Sequence, residues 1–122
     1  MNDFNSNIPI YIQVIKSMKM DIISGKLKPG DKIPSVRELA LSLSVNPNTI
    51  QKALSELERE GFLVTERAVG RYVSDNQELI EESKNIEIDK RVEYFVKDMK
   101  SLGLTLDDIK NHINNLKEDH YE

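Results

Sequence analysis

Four polar residues with no acidic residue among them stand close together near the middle of the chain: Asn48, Thr49, Gln51 and Lys52. Asn and Gln amides can pair bidentately with adenine, and each good pair contributes about 1–3 kcal/mol of discrimination. Hydroxyl and ammonium groups bind phosphate oxygens, which is the contact expected of Thr49. The cluster is therefore chemically suited to a nucleic acid, if one surface presents all four side chains.

The cluster falls at the start of the second of two helices predicted in residues 35–61, SVRELALSLSVNPNTIQKALSELEREG. Asn46 is expected mainly to cap this helix, and Pro47 takes its first position, where no amide proton is needed. Gly61 is expected to end it in a left-handed turn. Its apolar residues recur at i, i+3, i+4 and i+7, which predicts one buried face: Ile50, Ala53, Leu54 and Leu57.

The preceding helix is predicted to begin at Ser35, with Glu38 as the partner in a capping box. Its apolar face is Val36, Leu39, Ala40 and Leu43, and residues 44–46 form the turn to the next helix. On spacing alone, a DNA-binding helix-turn-helix and an ordinary pair of amphipathic helices both remain open. The segment that follows decides between them.

A β-hairpin is predicted directly after the second helix, with strands over 62–66 and 71–73 and a turn over 67–70. Together with a short extended stretch at Ile33, it is expected to form a three-stranded sheet. A hairpin with two arginines would alone be an ordinary solvated turn. Behind a helix-turn-helix it is favoured as the wing of a winged helix, with Arg67 and Arg71 as contacts.

The flanking segments differ in character. Residues 1–7 are expected to be disordered, and a helix is predicted from Pro9 to about Ser24. At the other end, two amphipathic helices separated by Gly103 are predicted, and Thr105 caps the last one with Asp108.

Two helices bury little apolar surface by themselves, so this C-terminal tail needs either the winged domain or a second subunit as its partner. A second subunit is favoured, because a two-fold dimer suits palindromic half-sites. The expected dimerisation residues are Val92, Phe95, Val96, Met99, Leu102, Leu106, Ile109, Ile113 and Leu116.

Composition limits the class of protein. The chain of 122 residues is long enough for one small domain and an appendage, predicted as a winged helix-turn-helix over 1–74 and a helical tail over 75–122. The fold class is mainly α with a small β-hairpin. Without Cys there is no disulfide or thiolate metal site, and His112 and His120 are expected on the surface.

Several functions are excluded on the same basis. No apolar run approaches the roughly 20 residues that span a membrane, and the first residues lack the pattern of a signal peptide. A cytoplasmic protein is expected. No nucleophile elbow, phosphate loop or metal-ligand cluster is present, so neither catalysis nor a cofactor is predicted.

The net charge of −4 is unevenly distributed. Residues 1–74 hold ten basic and eight acidic residues, a balance of +2, whereas residues 75–122 hold seven and thirteen, a balance of −6. Local charge decides binding to a polyanion, so the acidic tail does not argue against DNA. The small positive balance predicts only modest non-specific affinity.

Three segments, GKLKPGDKIPSVRELA (25–40), VNPNTIQKAL (45–54) and LEREGFL (57–63), resemble the GntR family of bacterial transcription regulators. The opening IPIYIQ at 8–13 is similar to that family's first helix, and LGLTL at 102–106 resembles the YtrA subfamily. The resemblance implies a dimeric DNA-binding regulator with a short helical tail, commonly a repressor of its own operon beside an ABC-type transporter.

Carried over by position, the resemblance implies DNA contacts by Ser35, Arg37, Asn46, Asn48, Thr49, Gln51, Lys52, Arg67, Gly70 and Arg71. Two positions depart from the family pattern. Ala68 stands where the wing commonly has Gly, which predicts a different turn at its tip. Pro47 replaces a residue that is a contacting Arg in some members, which leaves more of the base contacts to Asn48 and Gln51.

The partners expected are double-stranded DNA with a palindromic site, a second copy of the chain, and a small effector of unknown chemistry in a crevice beside the tail. The alternative is a winged helix that binds another protein and no specific DNA. The sequence leaves the operator and the effector undefined.

Overall fold

The computed structural model describes residues 4–117 of the chain. Its elements in chain order are α1 (Ile10–Ile23), α2 (Val36–Leu43), α3 (Pro47–Arg59), β1 (Leu63–Glu66), β2 (Gly70–Val73), α4 (Gln77–Lys100) and α5 (Leu106–Asn114). This is the predicted mainly α fold with one small antiparallel sheet. The chain forms two compact units that divide between Lys84 and Asn85, inside α4.

The first unit is built around α3. Its predicted apolar face is confirmed: Ile50, Ala53, Leu54 and Leu57 are all fully buried. Helices α1 and α2 and strand β1 all pack against it. Fully burying an aliphatic side chain of this size stabilises a fold by about 1.5–3 kcal/mol, so this face determines how α3 is oriented.

The beginning of α4 belongs to the same core, although the sequence suggests a separate tail from residue 75. Ile80 is buried with the core residues, and Leu79 packs against them. A Cβ atom added to Gly61 would lie 3.1 Å from a methyl carbon of Leu79. Gly61 has φ +91°, as predicted for the end of α3, so this position is constrained by conformation and by contact.

The wing is an antiparallel pair in which Leu63 faces Val73 and Glu66 faces Gly70. The predicted third strand is not formed. Lys32 makes one isolated bridge to Tyr72, and the amide of Ile33 donates to the carbonyl of Arg71 at 2.8 Å. The pairing does not continue past Ile33, so the sheet has two strands.

The expectation of disorder over residues 1–7 is wrong for residues 4–7. Phe4 packs against the core, and Gln13 of α1 makes three hydrogen bonds to the backbone of Asn5 and Ile8. Gln13 supplies both an acceptor and a donor, so one amide side chain satisfies both kinds of backbone group. No local sequence pattern predicts this tertiary contact. Residues 1–3 lie outside the described part.

The second unit contains the rest of α4 and α5. Thr105 and Asp108 form the predicted capping box, and the hydrogen bonds from the Thr105 backbone and side chain lower the pKa of Asp108. Ile109 is buried. His112 is exposed, as expected, whereas His120 lies outside the described residues. Within residues 4–117, no helix is long and apolar enough to cross a membrane.

Candidate nucleic-acid interface

The start of α3 has the predicted cap. The Asn46 side-chain oxygen accepts a hydrogen bond from the amide of Asn48 at 2.8 Å, and Pro47 occupies the first turn. Before it, Ser44 closes α2 in the left-handed conformation with φ 54°. The buried face of α3 turns Asn48, Gln51 and Lys52 to solvent, with no acidic residue in the first turn.

Two of these side chains are already held by neighbours. The Gln51 amide nitrogen donates to the Ser55 hydroxyl at 3.1 Å, one turn along the same helix. The Lys52 ammonium lies over the ring of Tyr11, 3.9 Å from its centroid. Thr49 is half-buried, so it is less exposed than the other three residues of the cluster. The structure thus brings the polar cluster onto one exposed surface, as the sequence predicts.

The start of α2 contributes two further predicted residues. The Ser35 hydroxyl accepts from the Glu38 amide at 3.1 Å, and Glu38 accepts from the Ser35 amide at 3.3 Å, which confirms the capping box. The hydroxyl is therefore already engaged in holding the helix end. Arg37 is exposed in the first turn of α2, where its guanidinium is open to an anionic partner.

The wing tip is a three-residue loop between Glu66 and Gly70. Ala68 adopts a left-handed conformation with φ 64°, which an alanine rarely does, and Gly70 has φ 142°. A Cβ atom on Gly70 would come 3.2 Å from the Lys32 side chain. Arg67 is exposed at this tip, as a phosphate contact requires.

Arg71 has a different environment from Arg67. It is half-buried, and its Nε donates to Glu58 of α3 at 2.5 Å. The other Glu58 oxygen accepts from the Thr65 hydroxyl. Burial raises the pKa of Glu58, but the hydrogen bonds from Thr65 and Arg71 and the charge of Arg71 outweigh it and hold that pKa below its ordinary value.

Arg59 lies outside this surface, as its late position in α3 suggests. It forms a pair with Glu56, with Nε–Oε distances of 3.0 and 3.1 Å. Hydrogen bonds from Arg59 lower the pKa of Glu56. Among the described residues, no group of three His, Cys, Asp or Glu is arranged to hold a metal ion.

Sequence analysis does not identify two residues of this surface, Tyr11 and Glu58. Tyr11 is apparent only as part of the apolar stripe of α1, and Glu58 only as one acid in a charged helix. Their partners lie on other elements, so no local spacing identifies them. A helix-turn-helix, an acid-free exposed helix start and a basic hairpin together define a winged-helix DNA-binding protein.

Comparison with known proteins agrees with this class. The family of bacterial regulatory proteins named gntR matches residues 10–73. The Bacillus subtilis regulator YhcF is 41% identical over 117 residues, which cover 96% of this chain and 97% of YhcF. The B. subtilis repressor YtrA is 41% identical over 118 residues, which cover 96% and 91%. The chain belongs to the GntR family of bacterial transcription regulators, and its similarity to YtrA extends through the tail.

Solved structures support the same assignment. A GntR family regulator from Listeria monocytogenes has a TM-score of 0.81 at 35% identity, covering 93% of this chain and all of that one. The DBD of AraR, solved in complex with operator ORX1, has a TM-score of 0.53 at 34% identity over 55% of this chain and 81% of its own. GntR regulators bind DNA, and this chain carries their DNA-binding domain.

Proposed function

We propose that the protein is a homodimeric repressor that binds a palindromic operator through α3 and the wing. The observation that carries this proposal is the exposed start of α3, where amide and basic side chains stand on a capped helix with no acidic residue in its first turn. The major groove admits a helix, and its base edges are distinguished by such side chains. We infer that the protein is cytoplasmic, because the DNA of a bacterial cell lies in the cytoplasm.

We assign base contacts to Asn48 and Gln51, and phosphate contacts to Arg37, Lys52 and Arg67. Ser35, Asn46 and Thr49 contribute through helix ends, whose amides favour anions. Gly70 and Arg71 act mainly by shaping the wing, because Arg71 is engaged by Glu58 in the free protein. The hydrogen bond from Gln51 to Ser55 uses one N–H of the amide, which leaves its second N–H and its oxygen for a base.

The tail supplies the proposed dimer contacts. In the single chain Val92, Phe95, Leu102, Leu106, Ile113 and Leu116 are exposed, and Val96 and Met99 are half-buried. Exposed apolar residues at this density are characteristic of an interface. Ile109 is buried within its own chain, so its contribution to a dimer is to hold α5 in place rather than to contact the partner.

The regulated genes are proposed from relatives. The YtrA relative is described as a transcriptional repressor, and we extend that activity to this chain. Its own operon, with an adjacent ABC-type transporter, is the target that the subfamily resemblance suggests.

Footprinting on the DNA upstream of the gene tests the proposal. We expect two protected half-sites about one helical turn or more apart. Asn48→Ala should weaken binding to this operator by about 1–3 kcal/mol and leave binding to a scrambled duplex unchanged. Lys110→Gln, which removes an exposed charge from α5, is the control and should change neither. Absence of any salt-dependent affinity for this DNA would favour the alternative, a winged helix that binds a protein partner.

A further inference from the structure

The contact between Lys52 and Tyr11 joins the exposed start of α3 to α1. The ammonium nitrogen lies 3.9 Å from the ring centroid, well inside the range of about 6 Å for a cation–π interaction. Tyr11 packs against the core, so the ring is held in place by its surroundings. Lys52 is exposed and flexible by nature, so the ring restricts the lysine and not the reverse.

The neighbouring charges show why this partner matters. Lys52 and Glu56 have the i, i+4 spacing at which a lysine and a glutamate commonly pair on a helix. Glu56 is instead hydrogen-bonded to Arg59, and Lys52 lies on Tyr11. A carboxylate would neutralise the ammonium, whereas an aromatic ring holds it and leaves its full positive charge. The cation therefore remains available to an anion that approaches from solvent.

We propose that Tyr11 is a positioning residue for DNA binding, which holds the Lys52 ammonium ready for a phosphate. This inference rests on the proposed function, since it takes Lys52 as a phosphate contact. A free lysine side chain loses rotamer entropy when it is fixed, and a ring that restricts it beforehand reduces that loss on binding. The ring covers one side of an ammonium group with three donors, so donors remain for the phosphate.

Affinity for a mixed-sequence duplex of about 30 base pairs, measured by fluorescence anisotropy over a range of salt concentrations, tests the proposal. Lys52→Met should reduce the slope of log K against log salt by about 0.9, the loss of one phosphate contact. Tyr11→Leu should weaken binding about two- to fivefold. In the Lys52→Met background, Tyr11→Leu should have no further effect, because the two residues act through one contact.

Two variants separate ring electrostatics from packing. Tyr11→Phe keeps the aromatic face and should bind like the wild type. Pentafluorophenylalanine at position 11 keeps the ring but reverses its quadrupole, so it should weaken binding as Tyr11→Leu does. Thermal unfolding of each variant reports on folding, and the fluorinated variant decides the question if Tyr11→Leu fails to fold.

Three results would overturn the inference: a fluorinated variant that binds like Tyr11→Phe, a Tyr11→Leu variant that binds more tightly than wild type, or an unchanged salt slope in Lys52→Met. A wild-type protein that shows no salt-dependent binding to any duplex would instead overturn the proposed function, and this inference with it.

Discussion

The carboxylate of Glu58 on α3 accepts a hydrogen bond from Arg71 on β2 at 2.5 Å and another from the hydroxyl of Thr65 on β1. Both strands of the wing are thereby connected to one side chain of α3. The Arg71 and Glu58 side chains are only 20% and 27% exposed, so solvent and salt screen the pair less than a fully exposed one. This carboxylate therefore links the wing to α3, in addition to the contacts that β1 makes with the same helix.

Glu58→Gln should lower the free energy of unfolding by about 1 kcal/mol, because an amide offers one acceptor oxygen where the carboxylate offers two. Urea unfolding at neutral pH measures it. Glu56→Gln is the matched control on the same helix and should have little effect, since the Glu56–Arg59 pair is exposed.

The Glu58 contribution should also depend on pH. Its pKa is lower in the folded state, so the contribution is present above the ordinary carboxyl value of 4.5 and is lost as the pH falls through the lowered pKa. The difference between wild type and Glu58→Gln should therefore shrink below pH 4.5. A difference that stays constant into strongly acidic solution would contradict this assignment.

Ala68→Gly should stabilise the protein by about 0.5–1 kcal/mol. Ala68 has φ 64°, which costs an L residue about 1–2 kcal/mol, and the greater freedom of glycine in the unfolded chain offsets part of the gain. Val69→Gly, one position later, should only destabilise, because Val69 has no positive φ. Thermal unfolding distinguishes the two, and an Ala68→Gly variant less stable than wild type would show that the tip is not strained.

Gln13→Ala should release the N-terminal turn. Three hydrogen bonds of 2.6–2.8 Å to Asn5 and Ile8 are lost, so the amides of residues 5–8 should exchange faster with solvent. Global stability should fall by about 1 kcal/mol. Lys16→Ala changes an exposed residue of the same helix and should leave that exchange as it is. Unchanged protection in Gln13→Ala would mean that Phe4 alone holds the segment.

Phe95→Glu should convert the proposed dimer to a monomer, which light scattering after size exclusion detects. Phe95 is 44% exposed in the single chain, so a charged residue there should disturb an interface far more than the chain's own core. Tyr94→Glu is the matched control, since Tyr94 is 67% exposed and lies outside the expected stripe. Loss of the dimer in both variants, or in neither, would contradict the proposed interface.

The sequence predicts the parts of this fold that depend on near neighbours. The caps at Ser35, Asn46 and Thr105 join residues two or three positions apart, and their residue types alone indicate them. The buried face of α3 follows from helical periodicity in the same way. These local rules suffice to place the polar cluster of α3 on a surface.

Contacts between elements are not predictable in this way. Arg71 and Glu58 are 13 positions apart. Gln13 lies inside α1, whereas Asn5 lies before the helix begins, 8 positions earlier. Which of the two arginines meets a carboxylate depends on how the hairpin packs, and that is set by the core. Sequence analysis therefore predicts the same role for Arg67 and Arg71, although Arg67 is exposed and Arg71 is paired with Glu58.

The described helices differ in whether the first turn contains an acidic residue. Glu38 in α2, Glu78 in α4 and Asp107 and Asp108 in α5 place carboxylates near the positive end of the helix dipole. Such a carboxylate stabilises a helix by about 0.3–1 kcal/mol. In α3 the cap is the neutral Asn46, and no acid follows in its first turn. Helices α1 and α3 are the two described helices without an acid in the first turn, and α3 is the one at whose start a phosphate is proposed to bind. Asn46→Asp would keep the cap and strengthen the isolated helix, yet it would set a fixed negative charge against the DNA.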